Sequence, residues 1–499
     1  MEEMEKISKF IGKNWVDGVV AILLTLVVIR PVLDPDLGWH LRLGKEIVKT
    51  GKIVSGDSLS FSLPGYEFVN HAWLQDIVLF KLYEWFGLWG VSLVYGGLTA
   101  AGLWLIYKTT EKLLSKKGLA VLVGVAAIYM VEFVGLRAHA VTIFGLAGLW
   151  YLLINETEKK KLGWKPWALE NKFWLAPLLF FLWANLHAGF VLGFLVWGLW
   201  WGAGVMLRVV DDKKLTIRND ETFHLMLMVA AAAATLVNPY GIGVWQFALK
   251  LAENSAASVF NSDWVPLLSS RLPSASWLMR IGLVLMYAVA MIGRKNVRQK
   301  LVASVLMVMT IVSIRYSLVL LILIIPLLLI SVEKMLDDWA EKIDRRAWLM
   351  GCGVVVGLVV AKNWPQMACA YGSNECFGRL GNYPYKAVEY MKENNLSGNV
   401  FNFYTWGGYL EWQAQQNKYF IDGRMDSFYV DGKSFLAEFA RIVEMAESDS
   451  VRDEWKETFE KYEVDYVVMP KEMKLVDGLE KNGWKRVVEG EVEVVMEKN

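Results

Sequence analysis

The chain has 499 residues, 55% of them hydrophobic and 21% charged, with a mean hydropathy of +0.33. Its 52 basic and 51 acidic residues leave a formal charge of +1, so no bulk basic field points to a nucleic-acid partner. The charges collect between long apolar runs, which excludes an ordinary soluble protein, a disordered chain and a fibrous repeat. The expectation is a polytopic α-helical membrane protein, its partner the lipid bilayer, with a soluble C-terminal tail.

A lipid-crossing helix needs roughly 20 mostly apolar residues. Candidate spans fall at about 15–33, 88–107, 118–134, 138–154, 173–187, 189–207, 222–238, 275–293, 299–314, 316–332 and 347–361, about 11 in all. The N-terminal stretch MEEMEKISKFIGKN carries mixed charge, and no small-residue cleavage site follows its apolar run. It reads as an anchor rather than a removed signal peptide. Residues 73–87 (WLQDIVLFKLYEWFG) carry Asp76, Lys81 and Glu84 and predict an interfacial helix instead of a span.

With a cytoplasmic N-terminus, the inner loops hold Lys6/Lys9/Lys13, Lys108/Lys112/Lys116/Lys117, Lys159/Lys160/Lys161/Lys165, Arg208/Lys213/Lys214/Arg218, Arg294/Lys295/Arg298/Lys300 and Lys334/Lys342/Arg345/Arg346. That pattern obeys the positive-inside rule throughout. It predicts a multi-pass plasma-membrane protein whose transmembrane domain covers 1–361, with outer loops at 34–87 and 239–274. An extracytoplasmic α/β domain follows at 362–499.

Ionisable groups near membrane depth are costly and by default mark function. In this topology His40, His71, His139 and His187 face outward, and only His224 faces inward. The densest cluster is Asp34-Pro35-Asp36-Leu37-Gly38-Trp39-His40-Leu41-Arg42. Pro35 stops the preceding helix, and Asp36 is placed to cap a new one running to about Thr50. One cap needs one side chain, so capping leaves Asp34, His40 and Arg42 unexplained. A carboxylate there suits a general base toward a hydroxyl, or a ligand to a divalent cation such as magnesium or manganese.

Arg137 and His139 lie at a second outer turn, Asn185 and His187 at a third, and Arg315 at a fourth. Each alone reads as interfacial or snorkelling polarity. Together they suggest a shared anion pocket, because guanidinium forks match phosphate. Asp263 is a second candidate carboxylate or metal ligand; the bland alternative is a helix cap. Cys352 sits in an apolar run and reads as inert. Cys369 and Cys376 are either a disulfide closing a small loop or two free thiols.

Beyond residue 380 the pattern alternates: helix (YPYKAVEYMKENN), strand (NVFNFY), helix or turn (GGYLEWQAQQ), strand (KYFIDGR), helices over 433–461, strand (VDYVVMP), then a helix and strands (WKRVVEG, VEVVME). This predicts a small α/β domain. Asp422-Gly423-Arg424-Met425-Asp426 is either a ligand loop at a strand end or a turn with an internal Arg–Asp pair. No Gly-rich phosphate loop and no zinc spacing is present in the sequence.

These residues resemble a known family. A first span ending in an Asp-rich motif, a long outer loop, many further spans and an outward C-terminal domain resemble the GT-C glycosyltransferase superfamily. The Asp36-x-x-Trp39-His40-x-Arg42 segment is similar to the first-loop motif of oligosaccharyltransferase catalytic subunits. It also resembles the acidic motif of protein O-mannosyltransferases and aminoarabinose transferases. The ordered set DPDLGWHLRLG, NHAWLQD, WANLHAGF, NPYG and FIDGRMD resembles prokaryotic membrane proteins grouped with GT-C enzymes, over most of the chain.

The resemblance implies a polyprenyl-phosphate-linked sugar donor, with Asp36 or Asp34 as catalytic residue. Arg315, Arg137, His139 and His187 would hold the donor phosphate. His40, Arg42, His71, Asn185 and Asp263 complete the candidate substrate contacts. Where oligosaccharyltransferases carry a Trp-Trp-Asp motif, this chain reads Tyr404-Thr405-Trp406-Gly407-Gly408-Tyr409. A lipid, glycan or cell-surface acceptor is therefore expected over a peptide. A lipid or glycan transporter or flippase and a non-catalytic scaffold are the alternatives. One-sided polar clustering without an internal repeat favours the enzyme.

Overall fold

The computed structural model describes residues 17, 18, 20–22, 24, 25, 30–110, 137–161, 171–213, 218–253, 264–272, 276–292, 296–445 and 454–498. In chain order its helices are α1 (Leu37–Thr50), α2 (Trp73–Thr110), α3 (Ala140–Lys161), α4 (Ala176–Leu186), α5 (Phe190–Asp212), α6 (Asn219–Thr235), α7 (Gly243–Glu253), α8 (Trp277–Ala290), α9 (Val297–Val312), α10 (Ser317–Glu341) and α11 (Arg345–Gly372). Then come α12 (Asn374–Gly381), α13 (Tyr385–Glu393), α14 (Gly407–Gln413), α15 (Phe435–Met445), α16 (Glu454–Lys461) and α17 (Lys474–Lys481). The strands are β1 (Asn399–Asn402), β2 (Lys418–Tyr419), β3 (Tyr429–Val430), β4 (Lys433–Ser434), β5 (Tyr466–Pro470), β6 (Lys485–Glu489) and β7 (Glu493–Glu497).

Two units emerge. The first comprises 1–30, 92–241 and 263–365; the second comprises 31–91, 242–262 and 366–499.

The first unit is helical. Helices cover most of each predicted run from 138–154 onward, with α10 and α11 continuing past the predicted ends. The run at 118–134 and part of 15–33 lie outside the described residues. α4 packs along α6, α8 and α9 both pack on α10, and α5 packs on α9. α10 supplies the core, with every residue from Leu320 to Ile325 buried. Other faces expose large apolar side chains, such as Leu278 at 82%, which suits lipid and not water.

Among the described residues, four segments are long and apolar enough to cross a membrane: Trp73–Thr110, Phe190–Asp211, Ile314–Met335 and Arg346–Gly372. The other apolar helices are shorter; α4 has 11 residues, and at 1.5 Å per residue falls short of a hydrocarbon core of about 30 Å. The chain is a helical membrane protein, with the number of spans below the expected count by this measure.

α2 is two helices joined at a bend. Gly87 has φ 60° and ψ −152°, a left-handed conformation that a side chain resists. The amphipathic stretch from Trp73 therefore ends where the sequence placed its boundary.

The second unit is α/β. Its five-stranded sheet runs β2-β1-β5-β7-β6. β1 pairs in parallel with β2 and β5, while β7 pairs antiparallel with β5 and β6. Val400, Val468 and Val495 face one core with Met391, Leu410 and Tyr419. Beyond residue 380 the described elements follow the pattern read from the sequence, except that the short antiparallel pair β3–β4 stands where no strand was expected.

The first loop is woven into this unit. Ser60 bridges to Tyr419 beside β2, and the Ser62 hydroxyl donates to the Phe420 carbonyl at 2.6 Å. The Tyr66 hydroxyl donates to the Tyr429 carbonyl at 3.2 Å and accepts from the Tyr429 N–H at 3.0 Å. α1 crosses α14 at Gly38, where a Cβ would overlap the Gly408 carbonyl. Farther along, Gly44 meets the Asp76 carbonyl in the same way.

Gly38→Leu is therefore expected to cost about 3 kcal/mol or more by overpacking a backbone contact. Thermal denaturation of the solubilised full chain should show a lower Tm. Gly478→Ala on α17, where the added methyl meets nothing, should leave it unchanged or higher. Equal Tm values for both variants would contradict the crossing.

Candidate functional site

In the α/β unit, Arg424 is buried among carboxylates. Its Nε and Nη2 donate to Asp422 Oδ1 and Oδ2 at 2.8 and 2.6 Å. Nη2 also reaches Asp57 Oδ1 at 2.9 Å and lies 4.0 Å from Glu411 Oε1. The guanidinium sits 5.3 Å from the centre of the Phe68 ring. Asp57 in turn accepts from the Leu59 and Ser60 N–H groups and from the Ser60 hydroxyl. The internal Arg–Asp pair expected of the DGRMD turn is present, and the first loop extends it.

Three acids around one cation cannot all stay ionised at low cost. Burial, then the Asp422 charge, pushes the Glu411 carboxyl well above the usual carboxylate range. A raised carboxyl of this kind favours the protonated form beside Asp422. Burial alone would raise Asp422 too, but Arg424 outweighs burial and holds it below its ordinary value.

The first-loop acids divide. Asp36 does not cap α1: its backbone is helical (φ −85°, ψ −14°) and its side chain makes no cap hydrogen bond. A cap needs an extended residue to aim its oxygen back at the first turn. Asp36 instead accepts from Trp39 Nε1 at 3.0 Å and packs against Gly423, where a Cβ would overlap its carboxylate. Asp34 is 6% exposed, and its Oδ1 accepts the Asp36 N–H at 3.1 Å. Asp34 also borders a cavity that Asp36 does not line.

His40 is buried with Nδ1 2.5 Å from Asp76 Oδ1, and Asp76 Oδ2 accepts from Asn70 at 2.7 Å. Burial opposes the charged imidazole, but Asp76 outweighs it and raises His40 above its ordinary pKa. Arg42 is half-buried, within electrostatic reach of Tyr419. His71 stacks on Phe247 with centroids 4.2 Å apart. The Tyr404 hydroxyl donates to Asp426, and burial followed by that acid keeps the phenol protonated.

In the helical unit, two predicted turns meet. The His139 and His187 rings lie 5.5 Å apart. Gly189 N–H donates to His187 Nδ1 at 3.0 Å, with Thr142 Oγ1 at 2.9 Å from the same nitrogen. A nitrogen that accepts carries no proton, so Nε2 holds the hydrogen and is a donor. Arg137 begins the turn, its carbonyl accepting the Ala140 N–H at 2.9 Å. Asn185 spends its amide on the Phe181 and Val237 carbonyls, at 2.9 and 3.0 Å. Arg315 lies 4.3 Å over Trp264. Asp263 lies outside the described residues.

No family model matches the chain, and no curated protein matches it. Solved structures do. The apo crystal structure of the Archaeoglobus fulgidus oligosaccharyltransferase aligns with TM-score 0.59 at 11% identity, covering 92% of this chain and 70% of that one. The chain has a GT-C-like fold. The same oligosaccharyltransferase in complex with zinc and sulfate gives TM-score 0.53 at 11% identity over 91% and 68%. The apo structure of ArnT from Cupriavidus metallidurans covers 97% of this chain and 98% of its own at 13% identity, with a TM-score of 0.47.

Within this GT-C-like chain, one unit groups Asp34, Asp36, His40 and Arg42 at the start of α1, and the other groups Arg137, His139 and His187. Among the described residues, no three His, Cys, Asp or Glu side chains are placed to hold a metal ion. Asp34 and Asp36 thus do not form such a group with other described residues. Cys369 and Cys376 are disulfide-bonded.

Sequence reasoning missed Asp57 and Glu411 as partners of Arg424; a lone Asp in a Ser-rich turn gives no sign of a partner hundreds of positions away. It also missed a buried trio in the helical unit. His224 Nε2 lies 2.8 Å from Glu156 Oε2, and Trp197 donates to His224 Nδ1 at 3.1 Å.

The Glu411 proton has a consequence for stability. Between its unfolded and its raised folded pKa, the native state binds more protons, so stability falls as pH rises through that window. Glu411→Gln is neutral, close to the same shape, and removes the titration. Its Tm is expected to exceed wild type more at pH 8 than at pH 5, followed by thermal scans across pH. An identical pH dependence for both proteins would refute the neutral-acid assignment.

Proposed function

We propose that this chain is a membrane glycosyltransferase that moves a sugar from a polyprenyl-phosphate-linked donor to a lipid, glycan or cell-surface acceptor on the extracytoplasmic side. The observation that carries the reading is a GT-C-like fold with a buried first-loop carboxylate, Asp34, bordering a ligand-sized cavity.

The chemistry is a single displacement. Asp34 takes the acceptor hydroxyl proton as the oxygen attacks the anomeric carbon. The new C–O bond forms as the bond to phosphate breaks, and the polyprenyl phosphate leaves with the electron pair. Asp34 suits the base better than Asp36, which is held by Trp39 and wedged against Gly423. Asp36 is the positioning residue, its backbone N–H fixing the Asp34 carboxylate.

The His187 Nε2–H, His139, Arg137 and Arg315 are the groups suited to the departing phosphate, since donors and cations stabilise developing anionic charge.

The test is release of carrier from labelled polyprenyl-phosphate sugars by the full chain in lipid nanodiscs supplied with envelope glycolipids. Asp34→Asn should lower the rate at least about 100-fold, the usual contribution of a general base, with Tm retained. Asp36→Asn should lower it less and also lower Tm. Wild-type turnover by Asp34→Asn would defeat the assignment.

A further inference from the structure

Arg315 stands at the break between α9 and α10 in the helical unit. Ser313 is extended (φ −146°, ψ 124°) and ends α9, a single tight turn follows over Ile314–Tyr316, and α10 begins at Ser317. A long basic side chain at such a break ordinarily snorkels to water and samples many rotamers. Here the guanidinium carbon lies 4.3 Å over the Trp264 ring.

Stacking occupies the face of a guanidinium and leaves its N–H edges for other partners. Among the described residues, three arginines of the helical unit stack on tryptophans. Two of them also spend their edges on the backbone. Arg280, over Trp277, gives Nη1 to the Leu267 and Ser269 carbonyls at 3.1 and 3.0 Å. Arg298, over Trp200, gives Nε to the Trp200 carbonyl at 2.6 Å. Arg315 is half-buried, and no described residue takes its N–H groups in a hydrogen bond or ion pair. A guanidinium held by its face with its edge unspent is arranged for an anion.

The ring beneath it is tied down. The Val265 carbonyl accepts the Ile314 N–H at 3.0 Å. Val265 and Ile314 are the chain neighbours of Trp264 and Arg315, so this bond sets ring and cation relative to each other. Two residues on, the Leu267 N–H donates to the Ile311 carbonyl at 3.2 Å. The Val265 and Leu267 side chains are buried. Arg280, itself buried, grips the same segment from α8 through its two carbonyl contacts. Residues 264–272 are thus fastened to both α8 and α9.

We infer that Trp264 is a positioning residue for the donor phosphate, its ring holding the Arg315 guanidinium flat with the N–H edge presented to phosphate oxygens, while Arg280 fixes the segment that carries the ring. The inference rests on the transferase reading and adds to it a residue that acts through Arg315. The benefit is preorganisation: side-chain freedom that binding would otherwise remove is already gone in the free protein.

The test uses the full chain in lipid nanodiscs, with farnesyl phosphate and farnesol as paired probes and native mass spectrometry as the readout. The wild type should prefer the phosphate, and Arg315→Leu should remove the preference. Trp264→Leu should raise the farnesyl phosphate Kd about tenfold, within the range of a desolvated cation–π contact, and leave farnesol unchanged. Trp264→Phe, which keeps an aromatic face, should recover part of that loss. Arg280→Lys, which keeps the charge without the fork, should give a smaller loss of the same kind. In the Arg315→Leu background Trp264→Leu should cost nothing more, because residues acting as one unit are not additive.

Equal phosphate affinity in wild type and Trp264→Leu, a loss that strikes farnesol equally, or one that persists in the Arg315→Leu background would overturn the assignment. If the wild type releases carrier and Trp264→Leu does so equally at sub-saturating donor, the role of Trp264 falls and the transferase stands. Trp264-dependent phosphate binding without carrier release would uphold the positioning and remove the transferase.

Discussion

Arg424 lies among carboxylates from distant stretches of chain: Asp57 in the first loop, Glu411 on α14 and Asp422 beside it. Its desolvation is tolerable only because those acids surround it, and theirs only because of Arg424. Removing one member of such a buried set typically costs about 3–5 kcal/mol. The ring of charge fixes where the first loop runs against the sheet. That in turn places α1 on α14 through the Gly38–Gly408 contact, and so places Asp34. The candidate base is thus positioned by ions that do not line its cavity.

The two first-loop aspartates show how geometry separates like residues. Both sit within three positions of each other, and either could serve as base on sequence alone. Asp36 is drawn into the sheet side by Trp39 and Gly423, while Asp34 stays beside the aromatic cavity. His40, though in the same motif, is committed to Asp76, so its part is to hold α1 against the helix that begins at Trp73.

Local pattern was legible where local physics decides. Among the described residues, apolar runs became helices, most elements after residue 380 followed the alternation, and the charged stretch 73–86 stopped at Gly87 because its backbone turns left-handed there. Less legible was anything set by long-range pairing. Asp36 looked like a cap because Asp before an amphipathic helix usually is one; the indole of Trp39 took the carboxylate instead. Asp57 and Glu411 carried no motif, since a buried ion set is written in three dimensions. The expected number of spans is not confirmed by helix length: α4 and α8 are apolar but have 11 and 14 residues, fewer than the roughly 20 that a span takes.

The bond between Cys369 and Cys376 carries an implication about manufacture. Such cross-links persist in oxidising compartments and are kept reduced by cytosolic thiols. Closing so short a loop removes chain entropy worth roughly 2–3 kcal/mol from the unfolded ensemble. Protein accumulated in a reducing host would leave the ribosome with this strap unfastened and the segment after Gly372 unanchored. Recombinant material prepared under strong reductant would then differ from the mature molecule at the one stretch of backbone joining its last long helix to its sheet.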